Sequence, residues 1–203
     1  MKKGRYVVLA SGRGSNFQAI LDRTRDGYIP AECAALITDN PGAKAIFRAQ
    51  DAGVPVDVVD YRAYPDKTRY EKALITAISR YSPDLVILAG YMRLLGDRIV
   101  DEFSGRMMNI HPSLLPAFPG LHAQRQALEY GTKVAGCTVH FVTKDMDAGP
   151  VIIQRTVPVL DDDDEDSLAE RILTEEHQAF PESVRLFFEG RIRLSGRKVR
   201  ILS

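Results

Sequence analysis

Asn109 and His111 stand two residues apart in the run Met107-Met108-Asn109-Ile110-His111. In an extended strand that spacing turns both side chains to one face, setting a neutral amide donor beside a titratable imidazole. Such a pair can bind negative charge developing on an oxygen and carry a proton. A lone histidine after a strand is more often structural, but the companion Asn109 and the following Pro112 and Pro116 favour chemistry. Asp147 is a third candidate, in the turn-like stretch Asp145-Met146-Asp147-Ala148-Gly149-Pro150. Turns use Asp and Gly for backbone reasons alone. As a partner to His111, however, its carboxylate would favour the imidazolium and raise the histidine pKa toward working pH.

A second kind of chemistry is suggested by Ser11-Gly12-Arg13-Gly14-Ser15-Asn16, between a predicted strand and a predicted helix. Free N–H groups at a helix start and the helix dipole favour an anion there. The loop lacks the Gly-Lys-Ser/Thr end of a Walker motif, and Phe17 stands where a dinucleotide fingerprint needs its third Gly, so a monophosphate is preferred. Its structural alternative is a tight turn with Ser15 or Asn16 capping the helix.

These residues need a frame to hold them. Tyr6–Ala10, Ala34–Ile37, Val54–Val59, Leu85–Leu88 and Met107–Ile110 read as strands, alternating with helical patterns at Asn16–Arg25, Ala43–Ala52, Pro65–Tyr81 and Ala123–Tyr130. That alternation predicts an α/β, Rossmann-like three-layer domain with a mostly parallel sheet. Val134–Thr143 and Val151–Val159 are joined by a connection too short for a helical crossover, so they predict a late antiparallel pair. Ser167–Phe188 reads as a closing helix, bent at Pro181. Ligands of such a sheet bind at the carboxyl ends of its strands, where the loops named above lie.

At 203 residues the chain is expected to form one domain over 1–203. Lys plus Arg and Asp plus Glu each number 27, so no global field draws nucleic acid or an anionic membrane. No apolar run approaches the ~20 residues of a membrane span, and Met1 to Arg5 lead into a strand without a secretory apolar region. A cytoplasmic protein is expected. Cys33 and Cys137 read as buried thiols, and the four histidines form no metal-binding pattern. The acidic run Asp161–Asp166 has Asp where a calcium loop needs Gly and reads as a solvated segment before the following helix. Arg191–Arg200 reads as a solvated basic tail.

Four segments in order, SGRGSN from Ser11, LAGYMRLL from Leu88, NIHPSLLPAFPGLHA from Asn109 and HFVTKDMDAGPVI from His140, resemble the folate-dependent formyltransferases acting on glycinamide ribonucleotide. The resemblance implies transfer of a formyl group from 10-formyltetrahydrofolate to the amine of that ribonucleotide, without a metal and with a homodimer as candidate assembly. It assigns catalysis to Asn109, His111 and Asp147. It gives the substrate phosphate to Gly14, Ser15 and Asn16, and the nucleotide's ribose to Glu176 in the run Leu173, Thr174, Glu175, Glu176. It builds a folate pocket from Leu88, Met92, Arg93, Leu94, Leu95, Val100, Asn109, Thr143, Lys144, Asp145, Met146 and Asp147. Lys67 falls where an Arg is expected near the folate's glutamate tail; it keeps the charge and loses the bidentate fork.

An amine attacking a formyl carbon needs oxyanion donors and a proton route, which this trio could supply without a covalent intermediate. Formyltetrahydrofolate hydrolases, methionyl-tRNA formyltransferases and sugar-nucleotide formyltransferases share the Asn-Ile-His core. The first usually carry an additional N-terminal regulatory domain and the second a C-terminal one, against which a first strand near Tyr6 and an end at Ser203 are expected to count, and the phosphate loop favours a small phosphorylated substrate. A non-catalytic nucleotide-binding module, with Asp39 as ribose ligand, fits the trio less well.

Overall fold

The computed structural model describes residues 3–203, so Met1 and Lys2, part of the stretch read as lacking a secretory leader, lie outside the described residues. Two compact units are present, Met1–Met108 and Asn109–Ser203.

The first unit runs β1 (Gly4–Leu9), α1 (Ser15–Arg25), β2 (Ala31–Thr38), α2 (Ala45–Asp51), β3 (Val56–Val58), α3 (Lys67–Arg80), β4 (Leu85–Leu88) and α4 (Asp97–Glu102). β1 pairs in parallel with β2 and β4, and β2 with β3. Tyr6 through Ala10 are fully buried, as are Ala35, Leu36 and Ile37. Burial on both faces is the reason these strands carry unbroken apolar runs instead of alternation. The helices bury one stripe each. In α3 that stripe is Tyr70, Leu74, Ala77 and Ile78, at helical spacing, and Asp66 caps the start by accepting the Arg69 N–H at 2.8 Å. β5 (Met107–His111) begins beside β4, where the Val86 N–H donates to the Arg106 carbonyl at 2.8 Å, and ends in the second unit.

The second unit continues with α5 (Ala123–Tyr130), β6 (Val134–Phe141), β7 (Val151–Pro158), α6 (Glu165–Phe188), β8 (Ile192–Ser195) and β9 (Lys198–Ile201). β6 and β7 are antiparallel, so the expected α/β class, mostly parallel with a late antiparallel pair, holds. α6 begins two residues before the expected Ser167 and continues as one helix past Pro181. The acidic run does more than precede it. Asp164 and Ser167 form a reciprocal capping box, and Asp163 grips the Arg171 guanidinium at 2.6 and 2.7 Å. Those bonds hold the Asp163 carboxyl well below the usual carboxylate range.

One expectation is refined and one corrected. The basic segment Arg191–Arg200 is largely solvated as expected but has regular structure that was not expected: β8 and β9 form an antiparallel hairpin within it, and β9 packs against β7. The cap of α1 is neither Ser15 nor Asn16 but Gly14, in the left-handed region at φ +69° and with no side-chain cap bond. The short helix α4 is also new. Six residues carry too little periodicity to announce a helix.

Candidate active site

β5 places Asn109 and His111 on the same strand face, as their spacing requires, and His111 is 5% exposed. The Nε2 of His111 lies 2.8 Å from the Phe118 carbonyl oxygen, which can only accept, so this nitrogen carries a hydrogen. Its Nδ1 lies 3.4 Å from Oδ2 of Asp147. The ring therefore lies between two oxygen acceptors, the Phe118 carbonyl and the Asp147 carboxylate. Asp147 comes from the connection between β6 and β7, and the same Oδ2 accepts the Gly120 N–H at 2.8 Å. The three residues nominated from sequence therefore meet.

A fourth residue joins them. On β6, His140 donates from Nδ1 to the Phe141 carbonyl at 2.9 Å, which leaves Nε2 to accept the Asn109 Nδ2–H at 3.2 Å. Burial pushes its pKa below the ordinary histidine value, partly opposed by the Phe141 carbonyl and the Asp147 charge. His140 thus serves as a neutral acceptor that orients the Asn109 amide, whose second N–H can donate elsewhere. Sequence reading passed over His140 as one of four scattered histidines. A usable signal was its place two residues after Thr138 on a strand, since Thr138 belongs to the same support. The Thr138 hydroxyl donates to the Ser113 carbonyl at 2.6 Å and accepts from the Leu115 N–H at 3.1 Å, pinning the loop that follows His111.

The phosphate-loop residues lie at the start of α1, in the first unit. A Cβ added at Gly14 would stand 2.7 Å from the Ala45 Cβ, so both φ and space demand glycine. Gly14 makes no side-chain cap bond, so the start of α1 points backbone N–H groups outward from its first turn, the arrangement that suits an anion. The nominated folate residues of this unit divide by exposure. Leu88, Leu95 and Val100 are buried, whereas Met92 and Leu94 present their side chains outward. Arg93 binds Asp39 at 2.7 Å and lies over the Tyr61 ring, so Asp39 is committed to Arg93 and does not stand open as a ribose ligand. Lys67 starts α3 and pairs at 3.7 Å with Glu71, whose Oε1 accepts the Gly96 N–H at 2.6 Å.

In the second unit Leu173, Thr174, Glu175 and Glu176 are consecutive on α6, with Glu176 buried and Thr174 exposed on the opposite side. One ligand cannot touch all four at ~100° per residue. Lys144, Asp145 and Met146 are exposed and Thr143 is half-buried, with its hydroxyl on the Asp145 carbonyl at 3.3 Å. Among the described residues no group of three or more His, Cys, Asp or Glu side chains is arranged to hold a metal, and no helix is long and apolar enough to cross a membrane.

Comparison with known proteins identifies the family. The formyl transferase family model matches residues 4–184. Phosphoribosylglycinamide formyltransferase from Escherichia coli (strain K12) is 43% identical over 188 residues, covering 93% of this chain and 89% of that protein. The trifunctional purine biosynthetic protein adenosine-3 of Drosophila melanogaster is 46% identical over 191 residues, but the chain spans only 14% of its length while 93% of the chain is covered. The crystal structure of glycinamide ribonucleotide transformylase 1 from Symbiobacterium toebii superimposes with a TM-score of 0.97 at 54% identity, over 99% of this chain and 95% of that one. With the Asn109, His111 and Asp147 constellation and a family match over most of its length, the chain belongs to the formyl transferase family.

Proposed function

We propose that this chain, acting as a single formyltransferase domain over residues 1–203, transfers the formyl group of 10-formyltetrahydrofolate to the amine of glycinamide ribonucleotide in purine synthesis. The observation that carries the reading is the Asp147–His111 pair beside an Asn109 amide held by His140. The folate brings an activated formyl carbon. Asn109 donates its second N–H to the formyl oxygen as negative charge develops there, and protonated His111 adds positive charge beside it. Asp147 balances His111 and, through a water, receives the proton that leaves the attacking amine. The amine nitrogen bonds to the formyl carbon, the bond from that carbon to the folate nitrogen breaks, and that nitrogen takes up a proton.

Gly14, Ser15 and Asn16 hold the substrate phosphate at the start of α1, and Glu176, within Leu173 to Glu176, binds the ribose. Leu88, Met92, Arg93, Leu94, Leu95, Val100, Asn109, Thr143, Lys144, Asp145, Met146 and Asp147 contact the folate, with Lys67 toward its glutamate tail. Exposed Met92 and Leu94 supply apolar surface suited to a flat ring system. The enzyme acts on small molecules in the cytoplasm, needs no metal, nucleic acid or membrane, and has a homodimer as candidate assembly.

A panel assay tests this. 10-Formyltetrahydrofolate is supplied with glycinamide ribonucleotide, a sugar-nucleotide amine, or water as the acceptor. Formyl transfer only to glycinamide ribonucleotide is expected, and turnover with water alone would identify a hydrolase.

A further inference from the structure

The hairpin β8–β9 lies beyond the residues matched by the family model, which end at 184, yet it reaches the turn that carries Asp147. Ser195 pairs with Lys198, so Gly196 and Arg197 alone form the turn, and Gly196 has the positive φ (+57°) that a type II′ turn needs at its first central position. This tight turn projects Arg197, whose Nη1 donates to the Ala148 carbonyl at 2.9 Å. The hairpin is itself fixed, because the Arg191 and Leu202 backbones bond at 2.8 Å and β9 packs on β7.

Asp147 has reason to need a brace. It occupies the left-handed region at φ +51°, uncommon for a residue with a side chain and held only where the surroundings enforce it. The foot of the turn is secured by the Phe141 N–H on the Pro150 carbonyl at 2.9 Å, and by Gly149, where a Cβ would fall 1.7 Å from the Phe141 oxygen. The crown, Met146 to Ala148, borders a cavity of about 400 Å³ whose walls include Leu115, Pro116 and Arg197, so a slackened turn has room to move.

We propose that Arg197 is a positioning residue, bracing the Asp147 turn through the Ala148 carbonyl and so holding the Asp147 carboxylate against His111 and Gly120. It acts through Asp147, and its catalytic consequence rests on the functional reading above. Arg197→Ala should lower kcat by about 5- to 20-fold, the scale of one lost hydrogen bond and a loosened catalytic geometry. KM for each substrate should stay within about 2-fold, because neither substrate is held by this bond. Arg197→Lys, which keeps a donor, should recover much of the loss. Lys198→Ala, which removes a neighbouring charge, should behave as wild type.

A second readout needs no substrate. The Gly120 N–H is bonded to Asp147 and reports its placement, so its exchange with solvent, followed by NMR, should quicken at least ~5-fold in Arg197→Ala while the Val139 N–H is unchanged. A normal kcat in Arg197→Ala, an unchanged Gly120 exchange rate, or an equal loss in Lys198→Ala overturns the proposal. If the wild type transfers no formyl group, the functional reading fails, and the Gly120 measurement still decides whether Arg197 braces the turn.

Discussion

Oδ2 of Asp147 stands 3.4 Å from Nδ1 of His111 while accepting the Gly120 N–H at 2.8 Å, so one oxygen both faces the imidazole and anchors the loop beyond it. The other side of the ring meets the Phe118 carbonyl at 2.8 Å. Asp147 and Phe118 share φ +51°, a conformation costing on the order of 1 kcal/mol or more for residues with side chains. Of the four non-glycine residues at positive φ among the described residues, Ser82, Phe118, His122 and Asp147, two touch His111. The fold thus spends backbone strain where the imidazole must be held, consistent with a preorganised charge-stabilising site.

Asn109→Ala and His111→Ala should each lower turnover by at least ~100-fold, the usual consequence of removing an oxyanion donor or a general acid. Folate affinity should change little, since Asn109 is one of many residues assigned to the folate pocket and His111 is not among them. Single-turnover rates with equilibrium folate binding check this. A variant with near-normal chemistry loses its assigned role.

Asp147→Asn and Asp147→Ala separate charge from anchoring. Asn keeps an oxygen to accept from Gly120 and tolerates the left-handed region, whereas Ala does neither. Both variants should lose turnover by about 100-fold if the carboxylate's charge and proton uptake matter. Only Asp147→Ala should also lose thermal stability, by about 3–6 °C for a chain of this size. Calorimetry and turnover on both variants test it, and an active Asp147→Asn would reduce Asp147 to an anchor.

Gly14→Ala should raise KM for glycinamide ribonucleotide well above any change in folate affinity. The added Cβ meets Ala45 at 2.7 Å and disfavours φ +69°, moving the backbone that approaches the phosphate. Some loss of Tm should accompany it. Equal weakening of both ligands would indicate general damage and leave the phosphate assignment without support.

How much of this was legible depended on the range of each interaction. Buried parallel strands announce themselves as apolar runs, and Leu85–Leu88 and Ala123–Tyr130 were bounded correctly from sequence. Asn109 and His111 were readable because they share one strand. Their union with Asp147 was not, since no local pattern dictates a contact between His111 and a residue 36 positions further on; the family resemblance supplied it. The hairpin at Ile192–Ile201 did leave a signal, alternating apolar and polar residues about a Gly-X turn. Its many basic side chains resembled a solvated tail, and that composition obscured the period. His140 was hidden for a different reason: its role comes from a tautomer fixed by the Phe141 carbonyl, which sequence does not display.

His140 gives the sharpest pH prediction. Its Nδ1–H is committed to the Phe141 carbonyl, so Nε2 must remain unprotonated to accept from Asn109 at 3.2 Å. Protonation would set two donors against each other and release the Asn109 amide. Burial is the main cause of its lowered pKa, and any positive charge on His111 acts in the same direction. In the unfolded chain the group titrates near 6.5. Between that value and the lower folded one, the unfolded state binds more protons, so acidification favours unfolding. The stabilisation due to neutral His140 is therefore fully present above about pH 6.5 and is lost as pH falls through the folded value. His140→Gln retains an acceptor oxygen without a titrating ring, and should flatten this dependence while keeping part of the activity. Tm measured from pH 8 to 5 in both proteins isolates the effect, because the other histidines contribute to each curve. A wild-type curve that drops more steeply below pH 6.5 than that of His140→Gln is expected, together with a fall in kcat on the acid side that the variant lacks. Parallel Tm curves would show that His140 is not held neutral by the fold.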